Sequence, residues 1–220
     1  MPFTAIVLGG SGLTGHQLLL QLCDTAACTH VRALVRKPLG PQHPKLETVV
    51  VDFNNDAAFR QAIQGDVIFC CIGTTMAKAK TQAVYRSIDF DIPVKAARFG
   101  VANGVHQYLL ISSIGAGIGR ASFYQRLKGE VERAVQDAGL ASVQVFRPSL
   151  IMGQRGERRV MEKIFQAVWP VVSLFFWGRA RKYRGIKAST IARAMVRVAQ
   201  KAAPGIHVYE SDAIEKLGKA

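Results

Sequence analysis

The chain has 220 residues, of which 49% are apolar and 20% charged, with 29 Lys+Arg against 15 Asp+Glu for a formal net charge of +14. The apolar share is enough for a sizeable core and excludes intrinsic disorder. Twenty glycines without period and four cysteines exclude collagen-like and disulfide-scaffold classes. The charge is uneven. Residues 1–119 hold 10 bases and 7 acids, whereas 120–187 hold 14 bases and 5 acids. The first half is therefore nearly balanced, and the excess is regional.

The N-terminus has neither a basic n-region nor a long apolar h-region, so no signal peptide is expected. Cys23, Cys28, Cys70 and Cys71 match no zinc spacing, and no metal site is read. Cys70 and Cys71 are adjacent in an apolar run and should point to opposite faces of a strand. Reduced core thiols and a cytoplasmic location are the expectation.

In chain order, residues 3–8 form a short apolar run, a first strand, that ends at a glycine-rich turn. The stretch 12–23 has helical apolar spacing. Strands follow at 31–35 and at 47–51, the latter ending in Asp52. A helix over 56–64 opens on an acid, as a helix N-terminus prefers. A fourth strand spans 67–71. A long helical stretch, 82–102, should be broken or shaped near Pro93. A fifth strand spans 108–112, a helix 124–138, and a sixth strand 143–147, stopped by Pro148. Short apolar strands alternating with helices predict a doubly wound parallel sheet with helices on both faces. After residue 150 the alternation fades. Helices are expected near 157–168 and at 189–200, with a final strand at 206–209. The expectation is one domain over 1–220, with a cofactor-binding core at 1–150 and a small substrate-covering C-terminal extension at 151–220.

The turn Gly9-Gly10-Ser11-Gly12-Leu13-Thr14-Gly15 lies between the first strand and the first helix. Its G-x-x-G-x-x-G spacing supplies a tight turn, a close backbone approach to a pyrophosphate, and close packing of helix on strand. The helix N-terminus adds free N–H groups and a partial positive charge for phosphates. Cofactor contacts are therefore expected at Gly9, Ser11, Gly12, Leu13, Thr14 and Gly15. An NAD-binding fold carries an acid at the end of its second strand. This chain has Arg36-Lys37 there, which predicts NADP(H) over NAD(H), with Arg36 on the 2′-phosphate. Asp52, next to Phe53, is placed to accept from the adenine amino group.

Beyond the fifth strand come Ser112-Ser113, and twelve residues past Ser112 comes Tyr124, followed at i+4 by Lys128. On a helix these two share a face. A phenol is a poor acid or base at neutral pH unless tuned, and a neighbouring ammonium favours its ionised form. Lys128 could serve that role and also reach a cofactor ribose. A serine hydroxyl would hold a carbonyl oxygen, and Tyr124 would pass it a proton as hydride arrives.

The run 164–178 is apolar, contains Trp169 and Trp177, and has basic residues on both sides. It is shorter than the ~20 residues a spanning helix needs. A buried cover over substrate is the leading reading, with an interfacial membrane contact or a protein contact through 155–187 as alternatives. Its aromatic and basic interleaving also raises a nucleic-acid reading, which no recognition motif supports.

The stretches GGSGLTG, DVIFCCIGTTMAKA, LLISSIGA, YQRLKGEVE and VFRPSLIMG, in this order and spacing over residues 3–155, resemble the atypical branch of the short-chain dehydrogenase/reductase superfamily. More closely, the chain is similar to the Tat-interacting-protein family of NADP-binding proteins. The resemblance implies a Rossmann fold with NADP(H) in its cleft. It implies cofactor contacts at the glycine turn, Arg36, Asp52, the Gly73-Thr74-Thr75 loop, Arg147 and Pro148. It implies Ser113 or Ser112, Tyr124 and Lys128 as the catalytic set, with Tyr124 and Lys128 also touching cofactor. Self-association as a homodimer is common in the superfamily. The leading functional expectation is an NADP(H)-dependent oxidoreductase acting on a small carbonyl or alcohol. The alternatives are a catalytically weak NADP(H)-sensing partner-binding protein and, last, a nucleic-acid binder.

Overall fold

A computed structural model describes residues 2–40, 43–153 and 185–219. The central sheet has seven strands: β1 (Phe3–Leu8), β2 (Cys28–Val35), β3 (Leu46–Val50), β4 (Val67–Cys70), β5 (Gln107–Ile111), β6 (Ser142–Arg147) and β9 (Gly205–Glu210), in the order β3-β2-β1-β4-β5-β6-β9. Every pairing is parallel. A two-residue pair, β7 (Ile151–Met152) with β8 (Ile186–Lys187), stands apart. The expected doubly wound sheet is present, with element ends shifted by up to three residues, the largest at the start of β2.

The register decides where a site can form. Leu8 lies opposite Leu34 on one side and Cys70 on the other, so β1, β2 and β4 end together. The chain leaves β1 for β2 in one direction and crosses to β4 in the other. That reversal opens a crevice at the carboxyl ends of the strands.

Each face of the sheet carries an apolar layer. On one face, α1 (Leu13–Asp24) and α7 (Ala188–Lys201) bury Leu18, Leu22, Ile191 and Met195 against Val7, Val31, Phe69 and Leu109. On the other, α2 (Asp56–Ala62), α5 (Ile92–Ala102) and α6 (Phe123–Gln136) bury Phe59, Val94, Ala97, Val131 and Val135 against Ile6, Leu34, Ile68 and Val145. The strands are sandwiched, which explains their near-continuous apolar sequences.

One departure from the expected elements has a local cause. The stretch 82–102 is α4 (Gln82–Arg86), a π-helical turn over Ser87–Asp91, and then α5. Pro93 lacks the N–H that would bond the Asp89 carbonyl in a regular helix, and the wider turn accommodates the gap. A one-turn helix, α3 (Met76–Ala79), also precedes it. At the C-terminus, the helix expected at 189–200 and the strand expected at 206–209 are both present. α7 packs on the sheet, β9 extends it by pairing with β6, and α8 (Ser211–Lys219) closes the chain, burying Ile214 in the same apolar layer. The helix expected at 157–168 and the apolar run 164–178 lie outside the described residues. No helix among the described residues is long and apolar enough to cross a membrane. All four cysteines are free, with Cys70 in one apolar layer and Cys71 packed against the other, as adjacent strand positions require. Burial pushes the Cys28 thiol up to about 11.

Arg147, at the end of β6, is a clamp. Its Nε and Nη2 donate to the two carboxylate oxygens of buried Glu132 on α6 at 3.0 and 2.6 Å, and Nη1 reaches Glu210 of β9 at 3.3 Å. The bond to Glu132 is the largest cause holding this guanidinium above its ordinary range. Glu132→Gln is expected to lower stability by about 2 kcal/mol in urea unfolding, since it leaves half-buried Arg147 with only the longer pairing to Glu210. The loss stays at the low end because Arg147 keeps 25% of its side-chain surface exposed. A second test concerns Gly129 in α6, where a Cβ would lie 2.4 Å from the backbone of Gly117. Helix propensity alone favours Ala there by about 1 kcal/mol. Backbone cannot yield as a side chain end can, so Gly129→Ala should destabilise by about 1–2 kcal/mol. The same urea titration checks it.

Candidate nucleotide and catalytic site

Three glycines of the β1–α1 turn have separate jobs. Gly9 sits at φ +81°, where a side chain is strained, and a Cβ on it would lie 2.6 Å from the Cys71 carbonyl oxygen at the end of β4. The Gly12 N–H donates to the Gly9 carbonyl at 2.8 Å and closes the turn. Gly15 lets α1 approach, since a Cβ there would stand 2.1 Å from the Gly9 oxygen. Gly12 is the N-cap of α1, and neither a side-chain cap nor an acid in the first turn covers the free N–H groups. Free N–H groups at a helix start suit an anion.

Beside this turn lies a cavity of about 310 Å³. Of the expected cofactor residues, Gly9, Ser11, Gly12, Arg36, Phe53, Gly73 and Thr74 line it. Lys78, Ile88 and Ile92 line it as well and were not anticipated. Among the described residues the lining holds two cations and no acid. An uncapped helix start, two cations and apolar walls fit an anionic dinucleotide. The remaining expected contacts fall elsewhere. Thr14 is buried and Gly15 packs under the turn. Leu13 faces a second cavity of about 730 Å³ with His16, Met152 and Lys187. Lys37 is exposed and off the lining. Asp52 is exposed and accepts from the Asn54 N–H at 2.9 Å, so it shapes its own turn. Arg147 is engaged by Glu132 and Glu210. Pro148 is buried, and its carbonyl accepts from the Ile114 N–H at 3.0 Å.

Tyr124 and Lys128 lie one turn apart at the start of α6. Tyr124 remains 38% exposed, its ring set edge-on to Tyr85. Lys128 is buried. Its Nζ sits 2.9 Å from Oδ1 of Asp89, whose side chain is fully buried. Burial by itself would push the ammonium down, but Asp89 and then Tyr124 outweigh it and hold it above the ordinary lysine range. The second Asp89 oxygen accepts from the Thr74 N–H at 2.8 Å, and the Tyr85 hydroxyl donates to the Thr74 carbonyl at 3.1 Å. Both the N–H and the carbonyl of a cavity-lining residue are thus held by buried side chains. The two serines differ. Ser112 is buried, with no partner for its hydroxyl among the described residues. Ser113 is half-buried and donates to the Ile114 carbonyl at 3.3 Å.

Asp89 and Tyr85 were not singled out in the sequence. A lone acid in a helical stretch is most often a solvated one. The proximity of Pro93, which reshapes the helix at that acid, is the sole local signal.

The comparisons agree with this geometry. A family described as NAD(P)H-binding matches residues 9–168. Protein HTATIP2 of Rattus norvegicus is 31% identical over 224 residues, covering 98% of this chain and 89% of that protein. Protein FMP52, mitochondrial, of Coccidioides immitis is 29% identical over 175 residues, covering 74% of this chain and 71% of its own length. Among solved structures, WbmH of Bordetella bronchiseptica in complex with NAD+ superposes with a TM-score of 0.72 at 16% identity, over 99% of this chain and 80% of that one. MoeE5 in complex with UDP-glucuronic acid and NAD gives 0.70 at 18%, over 93% and 75%. At these identities the two structures speak for the fold alone. The chain belongs to the NAD(P)H-binding family, within the atypical short-chain dehydrogenases/reductases that include HTATIP2 and FMP52.

Proposed function

We propose that the protein is an NADP(H)-dependent oxidoreductase that reduces a carbonyl or oxidises an alcohol. The observation that carries this reading is the joining of Tyr124 and Lys128, through Asp89, to Thr74 on the wall of the nucleotide cavity. The uncapped start of α1 would hold the pyrophosphate. Arg36, exposed at the end of β2 and on the cavity wall, would pair the 2′-phosphate, and no acid on that wall opposes it. Phe53, Ile88 and Ile92 would flank the adenine and ribose.

A bound nicotinamide supplies hydride chemistry. The chain's own residues do the rest. Tyr124 donates its phenolic proton to the carbonyl oxygen in reduction and takes it back in oxidation. Ser113, the more open of the two serines, would hold that oxygen by a hydrogen bond. Lys128 keeps a positive charge beside the phenol. Four free thiols fit the reducing compartment expected from the sequence.

Fluorescence titration should show NADPH bound more tightly than NADH. Arg36→Ala should weaken NADPH by about tenfold to a hundredfold, the range of one charge-assisted contact, with little change for NADH. Equal affinities in the wild type would overturn the NADP assignment. Tyr124→Phe should lower carbonyl reduction by at least about a hundredfold while sparing NADPH affinity. Retained activity would remove Tyr124 as the proton donor. Wild-type protein that binds NADPH yet consumes none over a carbonyl panel would favour a sensing role instead.

A further inference from the structure

The π-helical turn Ser87–Asp91 and the first residue of α5 face two ways. Ile88 and Ile92 line the nucleotide cavity. Between them, Asp89 is turned inward, buried, with one oxygen on Lys128 and the other on the Thr74 N–H. A buried carboxylate is costly unless it is paired and hydrogen-bonded, and this one is both. The arrangement links the cavity loop, the reshaped helix and α6 through a single side chain.

We propose that Asp89 is a positioning residue that holds Lys128 as a fixed ammonium between the Tyr124 phenol and the Thr74 loop, so that the catalytic helix and the nucleotide wall keep one geometry. The proposal rests on the reading of Tyr124 and Lys128 as the catalytic pair. Its physical content is that Asp89 contributes charge, not shape. The groups facing the Lys128 ammonium are Asp89 from the π-helical turn, Tyr124 from α6 and Cys70 from β4, with Tyr85 facing Asp89 in turn. Burial pushes both the Cys70 thiol and the Tyr85 phenol up.

In the wild type, the lysine is held above its ordinary range, so its stabilising effect is complete below about pH 10.4 and is lost only above that. Asp89→Asn keeps the size and an acceptor for Thr74 but removes the counter-charge. Lys128 is then a buried ammonium that sheds its proton more readily folded than unfolded. The variant's stability, measured against the wild type, should therefore rise with pH.

The experiment is thermal unfolding of wild type, Asp89→Asn and Asp89→Asn/Lys128→Met from pH 6 to pH 10. Asp89→Asn should melt at least about 4 °C below wild type at pH 7. The deficit should shrink by at least about half toward pH 10. Adding Lys128→Met should remove that pH dependence. Repeating the series in a Tyr124→Phe background excludes the phenol as the source of the trend. A deficit that is flat with pH, or one that persists in shape after Lys128→Met, would overturn the proposal and leave Asp89 a packing residue. The same variants, titrated with NADPH at pH 7, should show affinity reduced by about tenfold or more in Asp89→Asn. Unchanged NADPH affinity in Asp89→Asn would overturn the link to the nucleotide wall. A wild type that fails to bind NADPH would instead overturn the proposed function, and the pH-dependent melting would still decide the role of Asp89.

Discussion

The site depends on the approach of two backbones. The Gly9 turn at the end of β1 lies so close to the end of β4 that a single methyl on Gly9 would press into the Cys71 carbonyl. That approach is available because β1 and β4 end in register, Leu8 opposite Cys70. From it follow the crevice, the exposed start of α1, and the placing of the Gly73-Thr74 loop beside the glycine turn. A residue with a Cβ at position 9 would separate the strands or the turn, and the nucleotide wall would lose its floor.

The second organising feature is α6. Tyr124, Lys128 and Glu132 recur every four residues and so form one stripe along the helix. Each rung has a different environment. Tyr124 is partly exposed at the open end. Lys128 is buried and paired with Asp89. Glu132 is buried and grips Arg147 at the end of β6. The proposed chemistry and the anchoring of the helix therefore lie along one face. Gly129, on the same helix, lets the backbone of Gly117 come within contact of α6. Arg147, expected from the family resemblance to meet the cofactor, is spent on this anchoring.

Much of the fold was legible in the residues. Short apolar strands spaced by amphipathic helices can be buried only by helices on both faces of a parallel sheet. The glycine turn was legible for a similar reason, since close backbone approaches exclude side chains and leave a pattern of glycines behind. Arg36 was legible because its position follows from the end of β2. What escaped were features without a local pattern. The joining of β9 to β6 is a long-range pairing. Lys78 reaches the cavity only because the loop after β4 turns back over it.

The sequence by itself determined the parallel α/β architecture, the glycine turn after β1, the basic end of β2 and the placing of Tyr124 and Lys128 on one helical face. Each is a matter of spacing along the chain, which periodicity and steric exclusion translate directly into place. Only the tertiary structure decided which charges are spent and which remain free. Asp52 serves its own turn, Arg147 is held by Glu132, and Lys128 is held by Asp89, thirty-nine residues earlier in the chain. A buried charge must find a counter-charge wherever the folded chain brings one, and no local spacing announces where that is.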